Sequence, residues 1–262
     1  MAARSGLVRK QDVLRMIIDN GSGYRKVAAQ HALADRPFGD LDIEDIPLKP
    51  GRKQLEQVFV LDGHTLLCGA NKVRTWAARH PDQLHRIIQS YKRCLCPKYM
   101  NTAAATRVWT ALDAKPGDLA AIQDLVAAHL RRIREAVIAF YRDRHPKSTR
   151  YPREYWDNNR IEAITTVSCN WDHEACVIVR NAALAGGFYN MDVAHEPICA
   201  AASDMDRMRG LGDIEYGEEV CFADIVKPTF DVATVRMTES VSDGARPQFD
   251  LVGNLIGDDA GA

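Results

Sequence analysis

The chain has 262 residues, 46% of them apolar and 26% charged, which excludes a disordered polymer and allows one large domain or two modest ones. A formal net charge of -1 gives no general attraction to nucleic acid or to an anionic membrane. No apolar run approaches the roughly 20 residues of a bilayer span, and the polar, basic residues 1–11 hold no signal-peptide core, so a cytoplasmic protein is expected.

In chain order, residues 13–18 form an apolar run ending in Asp19-Asn20-Gly21-Ser22-Gly23, with a second run over 24–29. This pattern predicts strand, tight glycine turn, strand. Residues 35–54 are charged and rich in Pro and Gly, as a loop would be. Residues 58–61 and 64–68 flank Asp62-Gly63 and predict a hairpin. A helix is expected over 73–80, and a further segment over 87–95. Leu119, Ile122, Leu125, Val126, Ile133, Val137 and Phe140 recur at three and four residues, predicting an amphipathic helix over 119–141. Asp118 is its expected cap, with Arg131, Arg132, Arg134 and Glu135 on its solvated side.

A turn-rich segment over 143–159 precedes a predicted strand at 161–167. Next comes a helix over 172–184, closed by Gly186-Gly187. A short strand at 191–194 then meets a small-residue helix over 197–208, and strands are expected at 220–223, 230–237 and 249–256. Strands alternating with helices predict an α/β protein with a mixed sheet.

Several chemistries fail on spacing. His195-Glu196 opens like H-E-x-x-H, but Cys199 holds the fifth position and Pro197 follows at once. Gly21-Ser22-Gly23 lacks the G-x-S-x-G spacing of a serine hydrolase. Of seven scattered cysteines only Cys94 and Cys96 lie close, and a C-x-C pair alone reads as ordinary buried thiols rather than a zinc site.

The motifs that remain share one order. Residues 17–26 (IIDNGSGYRK) resemble the first phosphate loop of actin, with a lysine seven residues after the aspartate. Residues 66–72 (LLCGANK) resemble the G-D-A-A-K segment of the seventy-kilodalton heat-shock chaperones. Residues 165–188 are similar to the strand and crossover helix of that family, ending in A-G-F. Residues 193–202 (VAHEPICAAA) resemble its connecting-helix signature N-E-P-x-A-A-A, and residues 224–231 (DIVKPTFD) stand where it has a second phosphate loop, D-x-G-G-G-T-x-D. Residues 91–97 (YKRCLCP) are similar to divergent fungal members.

This resemblance implies an α/β fold of the actin-like ATPase (ribonuclease H-like) type. Residues 1–12 would be an N-terminal tail, 13–210 lobe I, and 211–262 the start of an incomplete lobe II. It implies ATP and Mg2+ as ligands, bound weakly or not at all. Asn20, Gly21, Ser22 and Gly23 would supply the first cradle, since a glycine turn lets N–H groups converge on a phosphate. Asp19 would lie near the magnesium-water shell and Lys26 near the phosphates. On the residues alone, Asp19 is a turn residue and Lys26 a solvated strand end. Lys72, Glu196 and Asp231 match the family's catalytic positions, although Glu196 before Pro197 also reads as a plain helix-start carboxylate.

The second loop departs from the pattern. Asp224, which with Asp19 would attend the metal, Thr229 and Asp231 keep the spacing, but the glycines are replaced by Val226, Lys227 and Pro228. Pro228 has no N–H to donate. Losing two charge-assisted hydrogen bonds, roughly 1.5–3 kcal/mol each, weakens phosphate binding on the order of a hundredfold or more. Lys227 would offer an ammonium in their place, or stand as a solvated turn residue. The residues after 211 are also too few for a covered second lobe.

The expectation is therefore a degenerate chaperone-like domain, a non-catalytic chaperone-like or interaction module with protein clients or co-chaperones as partners. A weak ATP binder or residual ATPase is the alternative, and an accessory protein of a fungal biosynthetic pathway is another. Neither nucleic acid nor membrane is an expected partner.

Overall fold

A computed structural model describes residues 13–20, 24–32, 43–48, 54–62, 65–144, 155–156, 160–169, 171–201, 204, 215–226, 229–238, 249–252 and 256–259. Its central sheet is mixed. β1 (Val13–Asp19) pairs antiparallel with β2 (Tyr24–Ala32), from Val13 opposite Ala32 to Asp19 opposite Lys26. Two short strands, β3 (Glu44–Asp45) and β4 (Gln54–Glu56), also pair with β2. β3 falls inside the loop expected over 35–54 and β4 begins at its last residue, because two or three residues carry no visible alternation.

β5 (Val58–Asp62), β6 (Thr65–Cys68) and β7 (Ile87–Gln89) form a separate three-stranded sheet in the order β6-β5-β7. The expected hairpin is present, with Asp62 opposite Thr65, so the first strand runs one residue further than the Asp62-Gly63 turn reading. Helix α1 (Ala70–Arg79) packs Val73 and Trp76 against Val60 of this sheet. The segment over 87–95 divides into β7 and a 3-10 helix, Tyr91–Leu95.

α2 (Ala103–Ala111) escapes the sequence pattern, yet Thr102 caps it by accepting the Ala105 N–H at 3.3 Å. α3 runs Leu119–Arg144, slightly past its predicted end, and Asp118 accepts the Ala121 N–H at 3.3 Å as the cap requires. Its arginines are not simply a solvated face. Arg131 donates to the Ala185 carbonyl at 2.8 Å and Arg132 to that of Leu66, tying α3 to two other elements.

β8 (Ile161–Val167) joins the central sheet parallel to β1. α4 (His173–Ala185) then crosses to β9 (Asn190–His195), parallel to β8, and completes the order β3-β2-β1-β8-β9. Asp172 caps α4 through the Ala175 N–H at 2.9 Å, and Gly187 ends it at φ 91°.

Alternation along β1 sends Leu14, Met16 and Ile18 into the main core with Ile122, Leu125 and Ile133 of α3 and Val179 of α4. The opposite face is wetter. There Arg15 pairs with Glu162 at 3.7 Å, and Ile17 stands level with Ile164, the two being 46% and 43% exposed.

The last strands form a third sheet, antiparallel throughout: β10 (Glu219–Val226), β11 (Thr229–Met237), β12 (Phe249–Leu251) and β13 (Ile256–Asp259). The single strand expected over 249–256 is instead two, both paired with β11. Phe222, Val235 and Met237 form a small core with Ala201, from the helical stretch over 196–201. The rest of the helix expected over 197–208 lies outside the described residues, Asp204 excepted.

Candidate functional site

Because β1, β8 and β9 are parallel, their carboxyl ends lie side by side. In open α/β sheets, that is where ligands bind. Asp19 closes β1 directly opposite Lys26, so an acid and a base share one position of the hairpin. Lys26 is exposed and Asp19 half-buried. The glycine turn between them, Gly21-Ser22-Gly23, lies outside the described residues.

Asn20 is held firmly. It is buried, its N–H donates to Thr166 Oγ1 at 3.2 Å, and Gln57 Nε2 donates to its Oδ1 at 3.3 Å. Thr165 Oγ1 donates to the Ile18 carbonyl at 3.3 Å. Two adjacent threonines of β8 thus anchor the end of β1 where the turn begins, a connection that a polar pair inside a strand hints at and that no local motif states.

On β9, His195 stands level with Val167, and its Nδ1 lies 3.2 Å from the Ser168 carbonyl. A carbonyl only accepts, so Nδ1 is the ring nitrogen that carries a proton. Glu196 follows at the start of the helical stretch. Its carboxylate lies 3.6 Å from Lys92 Nζ, with the two side chains 16% and 13% exposed. Lys92 belongs to the 3-10 helix Tyr91–Leu95.

Lys72 is exposed in the first turn of α1. Glu56 of β4, opposite Tyr24 in β2, accepts the Ala70 N–H at 2.8 Å, and this joins the start of α1 to the strand that leaves the first turn. A carboxylate also suits the positive end of a helix. The lysine beside Glu196 is Lys92, however, not Lys72.

In the C-terminal sheet, Asp224 stands directly opposite Asp231, and Val226 opposite Thr229, so only two residues separate β10 from β11. Those two, Lys227 and Pro228, lie outside the described residues, as do the side chains of Asp224, Thr229 and Asp231.

The donor set suits a magnesium polyphosphate in part. Asp19 and Glu196 are hard oxygen donors, and Lys26 and Lys92 are cations at the same end of the sheet. Among the described residues no three His, Cys, Asp or Glu side chains converge to hold a metal. Mg2+ tolerates that, since it commonly takes one or two carboxylates and completes its shell with water and phosphate oxygens. The second cradle fits poorly, for Pro228 brings no donor to a two-residue connection.

Four of the seven thiols are poorly suited to chemistry. Burial pushes the Cys94 thiol up to about 12 and raises those of Cys96, Cys176 and Cys199, the last helped by the Glu196 carboxylate. All four stay protonated at neutral pH, which makes them poor nucleophiles and poor metal ligands. Among the described residues no helix is long and apolar enough to cross a membrane. No protein-family model matches the chain, and no curated protein matches it.

Proposed function

We propose that this chain is a heat-shock-chaperone-like nucleotide-binding module of the actin-like ATPase type. One phosphate cradle survives and the other has decayed. It acts in the cytoplasm as a non-catalytic chaperone-like or interaction module for protein partners, and holds Mg-ATP weakly.

One observation carries the reading. The Asp19–Lys26 pair of one motif and Glu196 of another, far apart in the sequence, lie along the same edge of a mixed α/β sheet, at the ends of β1 and β9 with β8 between them. Chance glycine turns give no reason for that shared edge. Weak binding follows from the second hairpin, where Lys227 and Pro228 replace a glycine-rich donor set between Val226 and Thr229. An ATPase of this type must hold the transferred phosphoryl from both sides, so turnover is not expected.

Calorimetry of the full chain with Mg-ATP tests this. Weak binding that disappears in Asp19→Ala, with no phosphate release above background, is the expected result. No heat at millimolar Mg-ATP, from protein that unfolds cooperatively, would remove the nucleotide half of the reading and leave a scaffold.

A further inference from the structure

We propose that the connection from α4 to β9 is a docking surface for an acidic segment of a partner protein, one that carries an apolar side chain among its carboxylates. The proposal rests on the interaction half of the function above, whose partner chemistry it names, and draws nothing from the nucleotide half. This surface lies where β8 and β9 begin. Asp19 and Glu196 lie at the other end of the sheet, about 20 Å away along the six residues of β9.

The connection is a rigid platform. Its N–H groups are all bonded inward, Gly186 to Ala182, Gly187 to Leu184, Phe188 to Ala183 and Tyr189 to Ile161, at 2.8–3.0 Å. Phe188 is buried in the main core, and Gly186 packs on the Ala127 carbonyl too closely for a side chain. On either side of these two, Leu184 and Tyr189 turn outward, 54% and 55% exposed. Apolar side chains presented by a fixed backbone cost little ordering entropy when a partner docks.

Guanidinium groups surround them. From α3, Arg131 donates to the Ala185 carbonyl, and Arg134 lies against Gly187, its Nε 3.4 Å from where a Cβ would stand. Arg160, just before β8, places its guanidinium 3.4 Å from the centre of the Tyr189 ring. Arg180 stands one turn before Leu184 on the same face of α4. A cation at the C-terminus of α4 suits the helix dipole, and Arg131 already meets that need. Arg134 goes beyond it. The residue is half-buried, and its inner Nε meets no acceptor among the described residues. Among the described residues none of Arg131, Arg134 and Arg180 forms an ion pair. A partly desolvated cation without a counter-charge is costly, and a carboxylate arriving from outside removes that cost.

Charge and shape select the occupant. Arginine forks match carboxylates two bonds at a time, and Leu184 and Tyr189 favour an apolar side chain between them. A nucleic acid is a poorer match, since it needs cations that track a backbone and open ring faces for its bases. Here the arginines ring one short connection, and Arg160 covers a face of Tyr189. Two copies of this chain cannot pair the surface with itself, because arginine would meet arginine.

Fluorescence anisotropy on the full chain tests the proposal, with a short labelled peptide of Asp and Glu around one Leu and one Phe. A second peptide carries Lys in place of the acids. Wild type is expected to bind the acidic peptide, less tightly as NaCl rises, and to ignore the basic one. Arg134→Glu/Arg180→Glu should reverse this preference, weakening the acidic peptide at least about tenfold. Leu184→Ser, an exposed change, should weaken it about fivefold. Thermal unfolding accompanies each variant, and if the arginine variant does not fold, unchanged affinity in Leu184→Ser overturns the proposal by itself. So would equal affinity of wild type for the two peptides, tighter binding of single-stranded DNA, or self-association that the arginine variant abolishes. Calorimetry with Mg-ATP on the same samples separates the two readings. Peptide binding without Mg-ATP binding fails only the nucleotide half, and Mg-ATP binding without peptide binding fails only this proposal.

Discussion

At the scale of single residues, burial decides protonation. Cys94 and Tyr141 are both held near 12, against ordinary values of 9.0 and 10.0, because each would have to ionise inside the core. Below about pH 9 neither folded nor unfolded chain gives up these protons, and stability is unaffected. As pH rises through the unfolded values, the unfolded chain releases protons that the native state keeps up to about 12. Stability must then fall, by up to about 1.4 kcal/mol per pH unit for each group. Urea unfolding at pH 8 and pH 11 should show a lower midpoint at the higher pH. A smaller drop is expected in Cys94→Ala, measured against its own midpoint at pH 8. Equal drops in the two proteins would mean that the thiol ionises as readily folded as unfolded. Residue-scale partnerships were the least legible part of the sequence. Lys92 and Glu196 come from distant segments, and LLCGANK drew attention to Lys72 instead; only the folded chain brings the YKRCLCP lysine to the carboxylate.

At the scale of elements, legibility followed length and contrast. α3 declared itself through a long apolar stripe, and β1 and β8 through apolar runs bounded by turns. α2 did not, because Ala103–Ala111 (AAATRVWTA) is short and alanine-rich, with little contrast between faces. β3 and β4 were too brief to alternate. The junction of α3 with α4 rests on glycines that the sequence marked correctly as a helix stop. A Cβ at position 186 would stand 3.1 Å from the Ala127 carbonyl oxygen of α3, a backbone atom with little room to move. Gly187 needs its positive φ of 91°. Gly186→Ala is therefore expected to force the two helices apart and cost about 1–3 kcal/mol in denaturant unfolding. A change below 0.5 kcal/mol would mean that the helices separate without strain.

At the scale of the molecule, the mixed α/β class was legible from alternating strands and helices. The placing of Asp19 and Glu196 along one sheet edge was not, because parallel pairing across β8 leaves no local trace. Among the described residues, the C-terminal sheet has a far smaller core than the central one: Phe222, Val235 and Met237 pack with Ala201 and Val220, whereas the main cluster holds fully buried Trp109 and Trp156. Regional stability follows such differences in buried apolar contact. Phe222→Ala, worth about 3 kcal/mol in a packed site, should speed amide exchange in β10 and β11 and leave β1 and β8 protected. Equal acceleration in both sheets would mean that they unfold as one unit.

The pairing of β1 with β8 also sets a timetable for synthesis. β1 is complete at Asp19, but the strand it lies beside begins only at Ile161. At a ribosomal rate of about 5–20 residues per second, the nascent hairpin waits on the order of 10 s for that neighbour. Throughout this interval β1 has one open edge, and Leu14, Met16 and Ile18 have no helix to pack on until α3 is made. A protein proposed to resemble a chaperone is, while it is being made, a natural client for one.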